Sequence, residues 1–140
     1  MIKFEANKRG FVIYIIIAAL LPLIILFIDK EVILDNYLLL LPAVLPLLLF
    51  IWIYLDTRYW IENNQLYYKS AFLRGKIDIH KIEEIIIGKT LWVGTKPALA
   101  TKGLVIKFNK YNQIYIAPIN NNTLVNKLIS INQNIRIVTN

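Results

Sequence analysis

"LDTRYWIENNQLYYKS", residues 55–70, is where one kind of chain stops and another starts. Its first residue closes a long apolar run. From Arg58 the pattern alternates, with Tyr59 and Ile61 on one side and Arg58, Trp60 and Glu62 on the other. That period of two belongs to a half-buried strand. Asn63-Asn64 tolerates the positive φ that a two-residue hairpin turn requires, and "QLYYKS" returns as the second arm. A β-hairpin therefore begins at the end of a greasy segment with no linker between them.

Upstream lie two uncharged runs, "FVIYIIIAALLPLIILFI" (11–28) and "YLLLLPAVLPLLLFIWIYL" (37–55), of 18 and 19 residues. At ~1.5 Å per residue each helix would cover about 27–29 Å, close to the ~30 Å hydrocarbon core of a bilayer. Backbone polar groups in lipid must bond within the chain, so each run reads as a transmembrane helix. Pro22, Pro42 and Pro46 are tolerated in spans, and the last two share a face on which the second helix can kink. The first run is too long for a signal peptide, and "FIDKEV" offers no small-residue cleavage site.

The connector "DKEVILDN" (29–36) carries three acids and one lysine. Lys3, Lys8 and Arg9 precede the first run; Arg58, Lys69, Arg74 and Lys76 follow the second. The positive-inside rule then puts both termini in the cytoplasm and the connector outside, in a multi-pass protein of the inner (cytoplasmic) membrane. Tyr14, Tyr37, Trp52, Tyr54, Tyr59 and Trp60 include residues near both span ends, as aromatic belts require.

Composition agrees with this division. The 140 residues are 57% hydrophobic with mean hydropathy +0.53, and most of the excess lies in the first 55. The remainder suffices for a small core only. The chain has no cysteine, which excludes disulfides, thiolate catalysis and cysteine-ligated zinc. Residues 57–140 hold 12 Lys/Arg against 4 Asp/Glu, an excess of 8 that by itself exceeds the +7 of the whole chain. Such a balance suits an anionic membrane face or another acidic partner, although heavy use of Ile, Asn, Lys and Tyr also follows from an AT-rich genome.

Beyond the hairpin, "GKIDI" (75–79), "EEIIIG" (83–88), "GLVIKF" (103–108) and "QIYIAP" read as strands. "NNNTLVNKLISIN" reads as an amphipathic helix with Leu124, Leu128 and Ile131 on one face and Asn121 or Asn122 as its cap. "NIRIV" (134–138) offers an edge strand. The expected architecture is an integral membrane α-helical hairpin followed by an α+β domain, an antiparallel bent sheet or small open barrel covered by a C-terminal helix. Its bounds are a cytoplasmic segment 1–10, spans 11–28 and 37–55 joined by connector 29–36, and a cytoplasmic domain 57–138.

The stretches "TRYWIENNQLYYKSAFLRGKIDIHKIEEI", "KPALATKGLVIKF" and "IYIAPINNNTLVNKLISINQNIRIV" carry a resemblance. Residues 57–138 resemble the bacterial pleckstrin-homology-like (PH-like) domains of the YyaB-like family, in which a preceding membrane hairpin is common. The family's Pro-Ala-Leu segment appears as Pro97-Ala98-Leu99-Ala100-Thr101-Lys102-Gly103-Leu104, without its usual Ser, Asp and Arg, and Ala117 replaces the serine before Pro118. The resemblance implies a PH-like fold, no catalytic residues and no fixed ligand.

Other motifs read blandly. "GKT" (88–90) resembles the end of a phosphate-binding loop, but Glu83 stands where its first glycine belongs. His80 is the single histidine, without companions for a metal or base, and reads as a surface or strand-end residue. "NNT" (121–123) fits a glycosylation sequon but sits on the expected cytoplasmic side, where helix capping explains it. Adjacent Glu83 and Glu84 point to opposite faces of a strand and read as solvent and turn residues.

The loop "KTLWVGTK" is more informative. A Trp92 tip between Lys89 and Lys96 suits the interfacial layer of an anionic bilayer; the competing reading folds the loop back as a plug over the sheet. "AFLRGK" (71–76) makes a second basic-apolar loop with the same two readings. The candidate contact residues are Arg74, Lys76, Lys89, Trp92, Lys96 and Lys102. The expected function is a non-enzymatic two-span protein whose domain docks a protein or an anionic lipid headgroup at the membrane. No cofactor, metal or nucleic acid is implied, and oligomeric state is unreadable. Self-protection against a peptide toxin is the competing reading; a membrane-bound enzyme lacks a convergent set of acid, base and nucleophile.

Overall fold

Residues 1–28 and 30–140 are described by a computed structural model. Asp29, the first residue of the expected connector, lies outside the described residues. The chain opens on a short strand, β1 (Ile2–Glu5), an element not expected within the segment 1–10. Helix α1 (Phe11–Ile28) follows, then a short helix α2 (Lys30–Asp35), a 3-10 turn (Tyr37–Leu40) and helix α3 (Leu41–Asp56).

Both long helical runs are long and apolar enough to cross a membrane. Almost nothing on them is buried by the protein itself. Ala18 on α1 and Ala43 on α3 are the buried residues, small side chains that let two backbones come close. Phe11 meets Phe50 edge to face at 5.9 Å, packing the two helices at one end. Pro42 sits in the first turn of α3, where its missing N–H costs nothing, and Pro46 lies inside.

The remainder forms two four-stranded sheets. In the first, β1 pairs with β2 (Arg58–Glu62), β2 with β3 (Gln65–Ser70) and β3 with β4 (Leu73–Asp78), all antiparallel. The β2–β3 turn is the expected one, with Asn63 and Asn64 at φ +49° and +58°. The second sheet runs β7 (Asn112–Ile116), β6 (Leu104–Phe108), β5 (Ile82–Ile87), β8 (Arg136–Thr139). Here β8 lies parallel to β5, a departure from the all-antiparallel expectation: the intervening helix carries the chain back along the domain before β8 begins.

That helix, α4 (Asn121–Ile131), drops Leu124, Val125 and Leu128 into the core. Its cap is Asn120, whose side chain accepts from the Thr123 N–H at 3.1 Å, rather than Asn121 or Asn122. The core gathers one face of each sheet under the helix: Tyr59, Ile61, Leu66 and Ile77 from the first, Ile85, Leu104, Ile106, Ile114 and Ile116 from the second. Glu84 departs from the solvent role expected of it. It is buried on β5 and ion-paired with Lys107 (2.6 Å) and Arg136 from the strands on either side.

Candidate functional site

The site is built where the helices enter the domain. The last turn of α3 passes straight into β2 through Thr57, whose N–H and hydroxyl both donate to Ile53 O, at 3.1 and 2.6 Å. The same hydroxyl lies 2.8 Å from Ser70 Oγ, so the β3–β4 turn, Ala71-Phe72, stands beside the helix end. Asp56 Oδ1 accepts from Lys69 (3.0 Å) and Arg58 (3.3 Å), tying the helix end to two basic strand residues. Phe72 is 67% exposed at this tip.

The other flank of the helical pair is fastened to the same end. Asn7 N–H donates to Ala117 O at 2.7 Å, Ile119 N–H donates to Glu5 O at 2.9 Å, and Ala6 bridges to Pro118. Ile119, also exposed, therefore joins Phe72 at the helical end of the domain. Tyr111, the most exposed aromatic of the domain, lies in the β6–β7 turn at the opposite end. Lys8 completes the helical end, with Nζ 4.7 Å from the centre of the Tyr54 ring.

The six residues expected from sequence fall into two groups. Arg74 stands opposite Lys69 and Lys76 opposite Tyr67, on the outer face of the first sheet. Tyr67 stacks on Trp60 at 5.2 Å. Lys89, Trp92, Lys96 and Lys102 belong to the loop between β5 and β6, which covers the outer face of the second sheet. Leu91 and Ala98 pack there against Ile86, Val105 and Tyr115. Lys96 Nζ sits 5.2 Å from the Trp92 ring and 5.7 Å from Tyr115, and Thr95 bridges to Ile114, halfway along β7. The Trp92 tip, exposed with Val93, thus turns beside the flank of the second sheet. The plug reading holds for Leu91, and Trp92 is left to solvent.

Lys8, Phe72 and Ile119 were not among the six. "AFLRGK" carried a signal for Phe72, since an apolar residue between small and basic ones marks an exposed tip. Lys8 and Ile119 had no such signal, because their neighbours come from segments far apart in the chain.

Chemically reactive arrangements are sparse. Tyr59 is buried, its hydroxyl donating to Pro97 O (2.6 Å) and accepting from Ala117 N–H (3.2 Å); burial pushes its phenol well above the usual range. This clamps the loop and both sheets together. His80 is exposed, its N–H capped by Asp78 at 3.0 Å. Among the described residues no three His, Asp or Glu side chains gather as a metal set.

Two sheets over one core with a C-terminal helix against them describe a small α+β domain. The family model for the bacterial PH domain matches residues 57–132. The chain belongs to this family. In this bacterial PH domain β1, β8 and the long helices all lie outside the matched residues, and β1 and β8 each extend one sheet. No curated protein and no solved structure is a match for the chain.

Proposed function

We propose that this chain is a non-enzymatic, two-span membrane protein whose PH domain is a docking module held against the cytoplasmic surface of the bilayer. The ladder between β1 and β2 carries the reading. It joins the strand before α1 to the strand after α3, so a chain that crosses on α1 must recross on α3 to make the four residue pairings from Ile2–Ile61 to Glu5–Arg58. The basic flanks and the acidic connector favour the cytoplasm for the joined side.

With the helices in lipid, Phe72 and Ile119 sit at interfacial depth beside Arg58, Lys69 and Arg74. Apolar tips among lysine and arginine suit an anionic leaflet, where each nearby cation contributes ~1 kcal/mol. The domain then works as a surface reader of fixed orientation, and its resemblance to the YyaB-like branch of the family, in which a membrane hairpin ahead of the domain is common, supports that role.

The cysteine-free chain supplies a direct test. Full-length Phe72→Cys and Tyr111→Cys proteins, each labelled with an environment-sensitive fluorophore, are reconstituted into phosphatidylglycerol vesicles. A blue-shifted signal at 72, quenched by lipid-borne nitroxide, with a water-like signal at 111 is expected. Equal signals, or release of the protein by alkaline carbonate, would overturn the reading.

A further inference from the structure

A sizeable groove lies outside the six expected residues. It measures about 1110 Å³ and lies between β1, the start of β2 and the adjoining ends of α1 and α3. That is slightly above the ~300–1,000 Å³ of small-ligand sites. Four cations line it, Lys3, Lys8, Arg9 and Arg58, against one carboxylate, Glu5. Among the described residues Lys3, Lys8 and Arg9 make no ion pair; Arg58 shares Asp56 with Lys69.

The remaining wall changes character along the helices. Val12 and Leu55 form part of it, both exposed, on the same apolar surfaces that the membrane reading gives to acyl chains. Tyr54 lies under Lys8 next to this apolar part, and Trp60 lies beside Lys3 at the end farther from the helices. A ligand matching this gradient has an anionic head, a short polar neck and hydrocarbon that continues along α1 and α3. We propose that the groove holds one anionic phospholipid of the surrounding leaflet, its phosphate among Lys8, Arg9 and Arg58 and its chains beside Val12 and Leu55.

The proposal rests on the two-span docking reading and adds a specific site to it. A diffuse basic surface would weaken with any lysine removed. A built groove weakens only when its own cations go.

The test uses the full-length protein in nanodiscs of mixed dioleoyl phosphatidylglycerol and phosphatidylcholine, followed by native mass spectrometry of the lipid it retains on release. Wild type should keep one phosphatidylglycerol in preference to phosphatidylcholine, and free glycerol phosphate should not displace it. Lys8→Gln/Arg9→Gln should lose about tenfold or more of that preference. Lys89→Gln/Lys102→Gln, which removes equal charge from the far sheet, should keep it. Equal loss in both double variants, no loss in either, or displacement by glycerol phosphate would overturn the groove. Insertion is scored separately by carbonate resistance of the same proteins: if they resist extraction and the lipid preference fails, the groove falls and the two-span reading stands.

Discussion

At the scale of single residues, Tyr59 ties distant parts of the molecule together. Its hydroxyl holds Pro97 O of the long loop and the Ala117 N–H at the end of β7, while its ring fills the core. Tyr59→Phe keeps the ring and leaves two buried polar groups without their partner, a cost of ~1–3 kcal/mol read as a lower denaturant midpoint in micelles. The same burial sets a pH dependence. Below about pH 10 the phenol keeps its proton in folded and unfolded chains alike, and its contribution to stability is complete. Above that pH the unfolded chain ionises while the buried phenol resists, so stability falls as pH rises. Tyr59→Phe should therefore show a shallower alkaline decline than wild type. Gly103 is a second tight position, since a Cβ there would fall 2.3 Å from Ile116 O, a backbone atom of the neighbouring strand. Gly103→Ala should cost ~1–3 kcal/mol, again read from the midpoint, because the ladder between β6 and β7 has to shift.

At the scale of elements, the cap of α4 separates local from tertiary information. Three consecutive asparagines, Asn120 to Asn122, are each competent caps, and the helical pattern alone does not choose among them. Packing does: Leu124 and Leu128 must face the core, which fixes the start at Asn121 and leaves Asn120 in extended geometry. Asn120→Ala should lose ~1 kcal/mol, and Asn122→Ala less than ~0.5, by thermal unfolding. The β2–β3 hairpin was legible for the opposite reason, since alternation and a tolerant turn lie within a dozen residues. β1 was illegible because "IKFE" has no turn beside it and its partner comes more than fifty residues later. Glu84 was misread for the same cause. Adjacent glutamates show no partner of their own, and only the sheet order brings Lys107 and Arg136 to Glu84 on the outer face. The groove was beyond reach in sequence too, its cations being divided between the chain before α1 and the chain after α3.

For the whole molecule, the first six residues belong to the domain that follows the helices. A version lacking them uncovers the edge of β2 from Arg58 to Ile61, and an uncovered edge strand recruits another chain. If residues 1–9 are joined to 57–140 by a flexible Gly/Ser linker, size-exclusion chromatography should give a monomeric domain. Omitting residues 1–6 from that fusion should give dimers or aggregates. Identical elution of the two would count against β1 as a structural edge.

The β1–β2 ladder also bears on biogenesis. Translation produces Ile2–Glu5 first, but its hydrogen-bonding partner emerges only after both helices have been made. A polypeptide whose second helix failed to recross the bilayer would strand β1 and β2 in different compartments, and neither could complete the sheet. On the two-span reading proposed above, closing that ladder would therefore require both helices to have inserted correctly.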